Sequence, residues 1–220
     1  MENFKHNFCE SRIYHNKPEI INSLSSLYIF LLPIIYGNPK NDILYNISIL
    51  LQLNGLTSCY FHYNLNWLGK QLDEIPMILI SYLSIWFLLK IYHNKDINLL
   101  NSYNYWNSFY VIMILTINTF PNYSYLFPYL FGLYIFFAIL LIHLVSVKFN
   151  IVYKKDLIKS GTGALLWWIS ELYCTKLTYI GHLFWHILFP LGFYNLILKF
   201  DILADRIWTF REFIYELDKD

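Results

Sequence analysis

The chain has 220 residues, 57% hydrophobic, 20% aromatic and only 14% charged, with a formal net charge of +1. An ordinary soluble domain carries roughly 25% charged and 45–50% apolar residues, so a soluble fold of this length would lack the charge to cover its surface. The near-neutral balance, without a Lys/Arg-rich run, a P-loop or a GxGxxG, also argues against a nucleic-acid or nucleotide partner.

Residues 1–18 are polar, with no apolar core of a cleavable signal, and are expected to lie outside the membrane. Seven apolar segments follow, each near the roughly 17–25 residues that cross a bilayer. In order they are Glu19–Tyr36, Asp42–Phe61, Glu74–Ile91, Tyr103–Phe120, Tyr125–Val147, Leu157–Cys174 and His182–Phe200. The third, fifth and seventh are the clearest. The fourth opens on Tyr103, Asn104, Trp106 and Asn107, residues suited to the interfacial belt. The sixth carries Gly161 and Gly163, which permit close helix approach in lipid. Connections are short and no internal repeat is present. The expected fold is an all-α integral membrane protein, a seven-transmembrane helix bundle in one domain over residues 1–220, with 201–220 as a cytoplasmic tail. Seven spans put the termini on opposite sides. Lys40, Lys90, Lys95, Lys148, Lys154, Lys155, Lys159, Lys199, Arg206, Arg211 and Lys219 fall on the C-terminal side, against Lys5, Arg12, Lys17, Lys70 and Lys176 on the other. This bias predicts a cytoplasmic C-terminus and a lumenal or external N-terminus.

The unusual polar residues follow the same alternation. Glu10 and Glu19 lie at or before the start of the first segment, Ser58 and His62 at the end of the second, and Asp73 and Glu74 at the start of the third. Glu171 and Cys174 close the sixth; His182 and His186 open the seventh. All fall in the non-cytoplasmic leaflet, where ionisable groups inside spans are costly and by default functional. His182 and His186 are four apart, hence on one helical face, and suit one zinc ion; His62 adds a third nitrogen. Three protein ligands with an open fourth position are the catalytic rather than the structural zinc pattern. Taken alone, HxxxH is also what two interfacial histidines give, and Asp73 with Glu74 is also what a helix dipole favours at its N-terminus. Ser58 stands one turn from His62, placed to hold the metal's water or a developing oxyanion. Asp73 is the candidate general base and acid. His6 and His15 lie in the polar N-terminus, His93 in a loop, and His143 alone within the fifth segment.

The blocks Ser58-Cys-Tyr-Phe-His62 and Gln71-Leu-Asp73-Glu74-Ile-Pro76-Met77 resemble those of the alkaline ceramidases. Gly181-His182-Leu-Phe-Trp185-His186-Ile187-Leu188 resembles that family's closing histidine block, and Phe8-Cys9-Glu10 and Asn22-Ser23-Leu24-Ser25 resemble its N-terminal blocks. The resemblance implies zinc held by His62, His182 and His186, assistance from Ser58 and Asp73, and hydrolysis of a ceramide-type membrane lipid to a long-chain base and a fatty acid in endoplasmic reticulum or Golgi membranes. It also implies a Cys9–Cys174 disulfide on the oxidising side, with Cys59 free, and a calcium site near the N-terminus. Glu10 and Glu19 match two carboxylates of that site. Asn7 stands where an aspartate is expected, Phe8 replaces a tryptophan and Arg12 falls near an expected asparagine, so calcium binding is expected to be weak or absent, with Arg12 bridging Glu10 and Glu19. Two other readings share the pattern: a related zinc acyl hydrolase acting on another lipid, which the Asp-Glu-x-Pro block disfavours, and a non-enzymatic receptor or regulator with a structural zinc, as in adiponectin-type receptors.

Overall fold

The computed structural model of the chain describes residues 8–14, 17–93 and 97–217, and side chains within these except at 97, 124 and 208–217. Asn7, His6 and His15 lie outside the described residues. Those described form eight α-helices, one 3-10 turn and no strand: α1 (Cys9–Ile13), α2 (Ile20–Tyr36), α3 (Asp42–Asn64), α4 (Trp67–Tyr92), α5 (Ile97–Thr119), α6 (Phe127–Lys148), α7 (Lys154–Leu172) and α8 (Gly181–Leu217), with the 3-10 turn at Ser124–Leu126.

Each expected apolar segment coincides with one of α2–α8. Three helices are long and apolar enough to cross a membrane by length and composition: α4, α6 and α8 over Gly181–Ile207. The apolar α2 is one residue short of the 18 that such a span needs here. The other helices are diluted by polar residues: Asn46, Gln52 and Asn54 in α3, Asn101, Asn104 and Asn107 in α5, and Lys154, Lys155, Asp156 and Lys159 in α7.

Boundaries differ where capping overrides hydropathy. Asn66 caps α4, its side chain accepting from the Gly69 N–H at 2.7 Å. The helix therefore starts at Trp67 and not at Glu74. Asp73 and Glu74 lie beyond the first turn, where the dipole effect has faded, which removes helix-end charge as their explanation. α8 continues past Phe200 through its 37 residues, about 55 Å at 1.5 Å per residue, so 201–217 is helical.

α7 packs on α8, α8 on α2, α2 on α3, α3 on α4, and α4 on both α5 and α6. A core from α2, α3, α4, α6 and α8 is built on Leu32, Ile47, Phe87, Val145 and Tyr194. A second core joins α4, α5 and α6 through Ile78, Ile114 and Tyr134. Gly163 performs the close approach expected of it, since a Cβ there would lie 3.0 Å from the Phe184 carbonyl oxygen. Gly161 does not: nothing lies within 4 Å of its Cβ position. Large apolar side chains cover the outside, among them Leu24 and Ile34 on α2, Ile112 on α5, Phe136 on α6 and Leu165 on α7.

Candidate active site and metal centre

The site forms where the N-terminal ends of α2, α4 and α8 meet the C-terminal ends of α3 and α7. Asn54, Ser58 and His62 are spaced by four and so share one face of α3. Leu65 and Asn66 connect α3 to α4, with Leu65 in the left-handed region at φ 48°. The turn is so short that α4 returns directly alongside, bringing Asp73 against Ser58 and Asn54. His182 and His186 stand on the first turns of α8.

The three imidazoles meet. Ring centroids are 4.8 Å apart for His62–His182, 5.0 Å for His62–His186 and 4.7 Å for His182–His186. All three are buried, and each offers a ligand atom within 4.8 Å of the others. Two nitrogens on one zinc stand about 3.4 Å apart given Zn–N bonds of about 2.0–2.1 Å, so ring adjustments of about 1 Å suffice to seat an ion. The other ring nitrogens of two of them are hydrogen-bonded. His62 Nδ1 lies 2.6 Å from Glu19 Oε2, and His186 Nδ1 lies 2.8 Å from Ser25 Oγ. His182 Nδ1 is 3.7 Å from Glu171 Oε1. For His62 and His186, holding Nδ1 by a carboxylate or hydroxyl directs the opposite nitrogen inward, as outer partners of metal-bound histidines do. Buried histidines oriented in this way fit a metal ion.

Ser26 donates to Ser58 Oγ at 3.1 Å, and Ser58 is hydrogen-bonded to the Asp73 carboxyl. Asn54 Nδ2 donates to Asp73 Oδ1 at 3.1 Å and to its backbone oxygen at 2.9 Å. Phe8 covers the histidines, its ring centroid 4.6 Å from His182 and 5.3 Å from His62.

The N-terminal carboxylates divide their work. Glu10 accepts from the Ile21 and Asn22 backbone N–H groups at 2.8 and 2.9 Å, and so caps α2 from outside the helix. Burial pushes the Glu10 carboxyl up, against the lowering effect of those two bonds. Glu19 turns to His62 and also accepts from Asn22 Nδ2 at 3.1 Å. Buried oxygens left without a hydrogen-bond partner in this stretch are Ser11 Oγ, Glu19 Oε1 and Asn22 Oδ1.

Arg12 does not bridge Glu10 and Glu19. Its Nη2 reaches the Glu171 carboxylate at 2.9 Å and the Glu171 backbone oxygen at 2.8 Å. Glu10 is already committed to α2 and Glu19 to His62, which leaves Glu171 as the accessible carboxylate. Glu171 Oε2 also accepts from the Cys9 N–H at 3.0 Å. Cys9 and Cys174 are joined by a disulfide, with Cα atoms 5.3 Å apart. Cys59 is free, its sulfur 3.2 Å from Ser23 Oγ.

Sequence reasoning brought together the metal triad, Ser58 and Asp73 but missed Asn54, Ser25, Ser26 and the orienting roles of Glu19 and Glu171. Asn54 lies one further step of four along the face of Ser58 and His62, but the sequence does not show what it bonds. The others depend on which helices become neighbours.

The chain is 32% identical over 123 residues to alkaline ceramidase 1 of Mus musculus, a stretch covering 51% of this chain and 42% of that protein. The sequence model of the family described as Ceramidase matches residues 2–209. With nearly its whole length matched, the chain belongs to the ceramidase family.

Proposed function

We propose that the protein is a zinc-dependent membrane amidohydrolase that cleaves ceramide-type sphingolipids to a long-chain base and a fatty acid. The observation carrying this reading is the buried triad of His62, His182 and His186 beside the Ser58–Asp73 pair. His62, His182 and His186 would hold the zinc ion, which would supply a Lewis acid and lower the pKa of a water to about 7. Asp73 then takes a proton from the attacking water and returns it to the amide nitrogen as the C–N bond breaks; the water oxygen stays with the acyl carbon as part of the fatty-acid carboxylate. Ser58 accepts a hydrogen bond from Ser26 and donates one to Asp73, which steers the carboxyl in the resting site; turned toward the substrate, the same hydroxyl donates to the developing oxyanion. Phe8 and the surrounding helices keep bulk water from the carbonyl.

The same reading places α2–α8 as seven spans in an endoplasmic reticulum or Golgi membrane, with the N-terminus lumenal and the C-terminus cytoplasmic. It rests on three apolar helices of spanning length, on the apolar outer surfaces of the others and on the distribution of lysine and arginine. The disulfide on the metal side fits an oxidising lumen. The test is mass spectrometry of ceramide incubated with purified protein. Expected are release of long-chain base and fatty acid, loss of both on zinc chelation, and recovery with added zinc. Asp73→Asn is expected to lower kcat by about 10²–10⁴, the usual range for general acid–base catalysis, with zinc retained. Zinc-loaded protein that leaves ceramide intact, or an Asp73→Asn variant at full rate, defeats the proposal.

A further inference from the structure

Asp73 is the only residue of the proposed machinery that comes from α4, and its carboxyl must be aimed across the helix interface. Pro76 follows three residues later within the same helix. Proline has no N–H, so the Leu72 carbonyl loses its usual helical donor, and the ring crowds the carbonyls of the preceding turn. In a membrane such a turn is tolerated where a neighbouring helix supplies donors. Asn54 of α3 donates to the next carbonyl along, that of Asp73, and not to the Leu72 carbonyl. Asn54 is buried, and both of its Nδ2 hydrogens are used on one residue: the Asp73 backbone oxygen at 2.9 Å and Asp73 Oδ1 at 3.1 Å. A single amide bonding both the main chain and the side chain of Asp73 removes the freedom of its carboxyl to rotate. The pair of acceptors also settles which end of the Asn54 amide is nitrogen.

The geometry points to Asn54 as a positioning residue of the hydrolytic site, holding Asp73 in the orientation that proton transfer requires. The inference rests on the reading of Asp73 as the acid–base group. The Asn54 amide nitrogen bonds Asp73, and its effect passes through that residue. Its place at the foot of the ladder Asn54, Ser58, His62 gives α3 three tasks along one face: aiming the carboxyl, bonding it and holding the metal.

The test is a double-mutant cycle with ceramide. Asn54→Leu keeps approximate shape and removes both donors. Expected is a 10–100-fold loss of kcat, the range seen when outer-shell partners are removed, with KM within about threefold and zinc content unchanged. In an Asp73→Asn background the same change is expected to alter residual kcat by less than about twofold, since the group it aims is already gone. Asn54→Ser, which keeps one donor, is expected to fall between Asn54→Leu and wild type, and is read in the same cycle if Asn54→Leu fails to accumulate folded. Equal losses in both backgrounds show a merely structural asparagine and overturn the inference. So does an Asn54→Leu enzyme at wild-type kcat while Asp73→Asn is impaired. An Asp73→Asn enzyme at full rate overturns the acid–base reading itself, and the inference with it.

Discussion

Glu19 gives the sharpest test of how the metal centre is held. The side chain is fully buried, and its Oε2 takes two bonds: His62 Nδ1 at 2.6 Å and Asn22 Nδ2 at 3.1 Å. Its backbone N–H independently donates to the His62 carbonyl at 2.9 Å. A side-chain substitution therefore leaves the α2–α3 junction tied while releasing the imidazole. Glu19→Ala strands the His62 N–H in a buried site, and a hydrogen bond to a charged partner contributes about 1.5–3 kcal/mol. At 1.36 kcal/mol per factor of ten this corresponds to a loss of roughly 10–100-fold in zinc affinity, the range that outer partners of metal-bound histidines command. Glu19→Gln keeps an acceptor oxygen but not the charge, and is expected to lose only about tenfold. The assay is competition against a fluorescent zinc chelator in detergent, with thermal unfolding to show that each variant is folded. Folded Glu19→Ala protein whose zinc affinity stays within twofold of wild type would falsify the orienting role of this carboxylate.

Gly181 precedes the first metal-binding histidine of α8, and a Cβ there would sit 2.3 Å from the Leu166 carbonyl oxygen and 2.6 Å from Ser170 Cβ. Gly181→Ala is expected to cost about 1–3 kcal/mol through overpacking and to weaken zinc binding by displacing His182; unchanged unfolding and zinc titrations would count against that packing. The Cys9–Cys174 link closes 165 positions of sequence, so replacing both cysteines by serine is expected to lower stability by about 2–4 kcal/mol, read as a drop in Tm that mild reduction of the wild-type protein reproduces. A Tm indifferent to reduction contradicts this. Calcium, titrated against a strong chelator, is expected to give only a shallow response, because the neutral Asn7 and the cation Arg12 stand where the resemblance places oxygen ligands. Arg12→Ala is expected to cost no more than about 1 kcal/mol, its ion pair with Glu171 being 40% exposed on the arginine side; a tight, saturable calcium effect on stability would reverse the first expectation.

Local sequence determined the helices and much of the chemistry. Long apolar runs set apart by Asn, Pro and Gly located every long helix, because a segment that must satisfy its own backbone in an apolar setting has little choice but α. Spacings of four placed His182 with His186 and Ser58 with His62 on common faces, since that period belongs to the helix itself. The alternation of the spans then put these pairs and Asp73 in one leaflet, and the resemblance assigned them their roles. Only tertiary structure decided the rest. Whether Glu19 binds a cation or turns an imidazole, and whether Arg12 meets Glu10 or Glu171, depends on which helix ends come within about 3 Å. Those distances are set by short turns such as Leu65–Asn66 and by close contacts such as Gly181 against Leu166. Carboxylates carry no label for their partner, because a charge-assisted hydrogen bond forms with whichever buried donor packing brings near. For the same reason Asn54 reads in the sequence as one more polar residue in an apolar helix, and acquires its task only when α4 returns beside it.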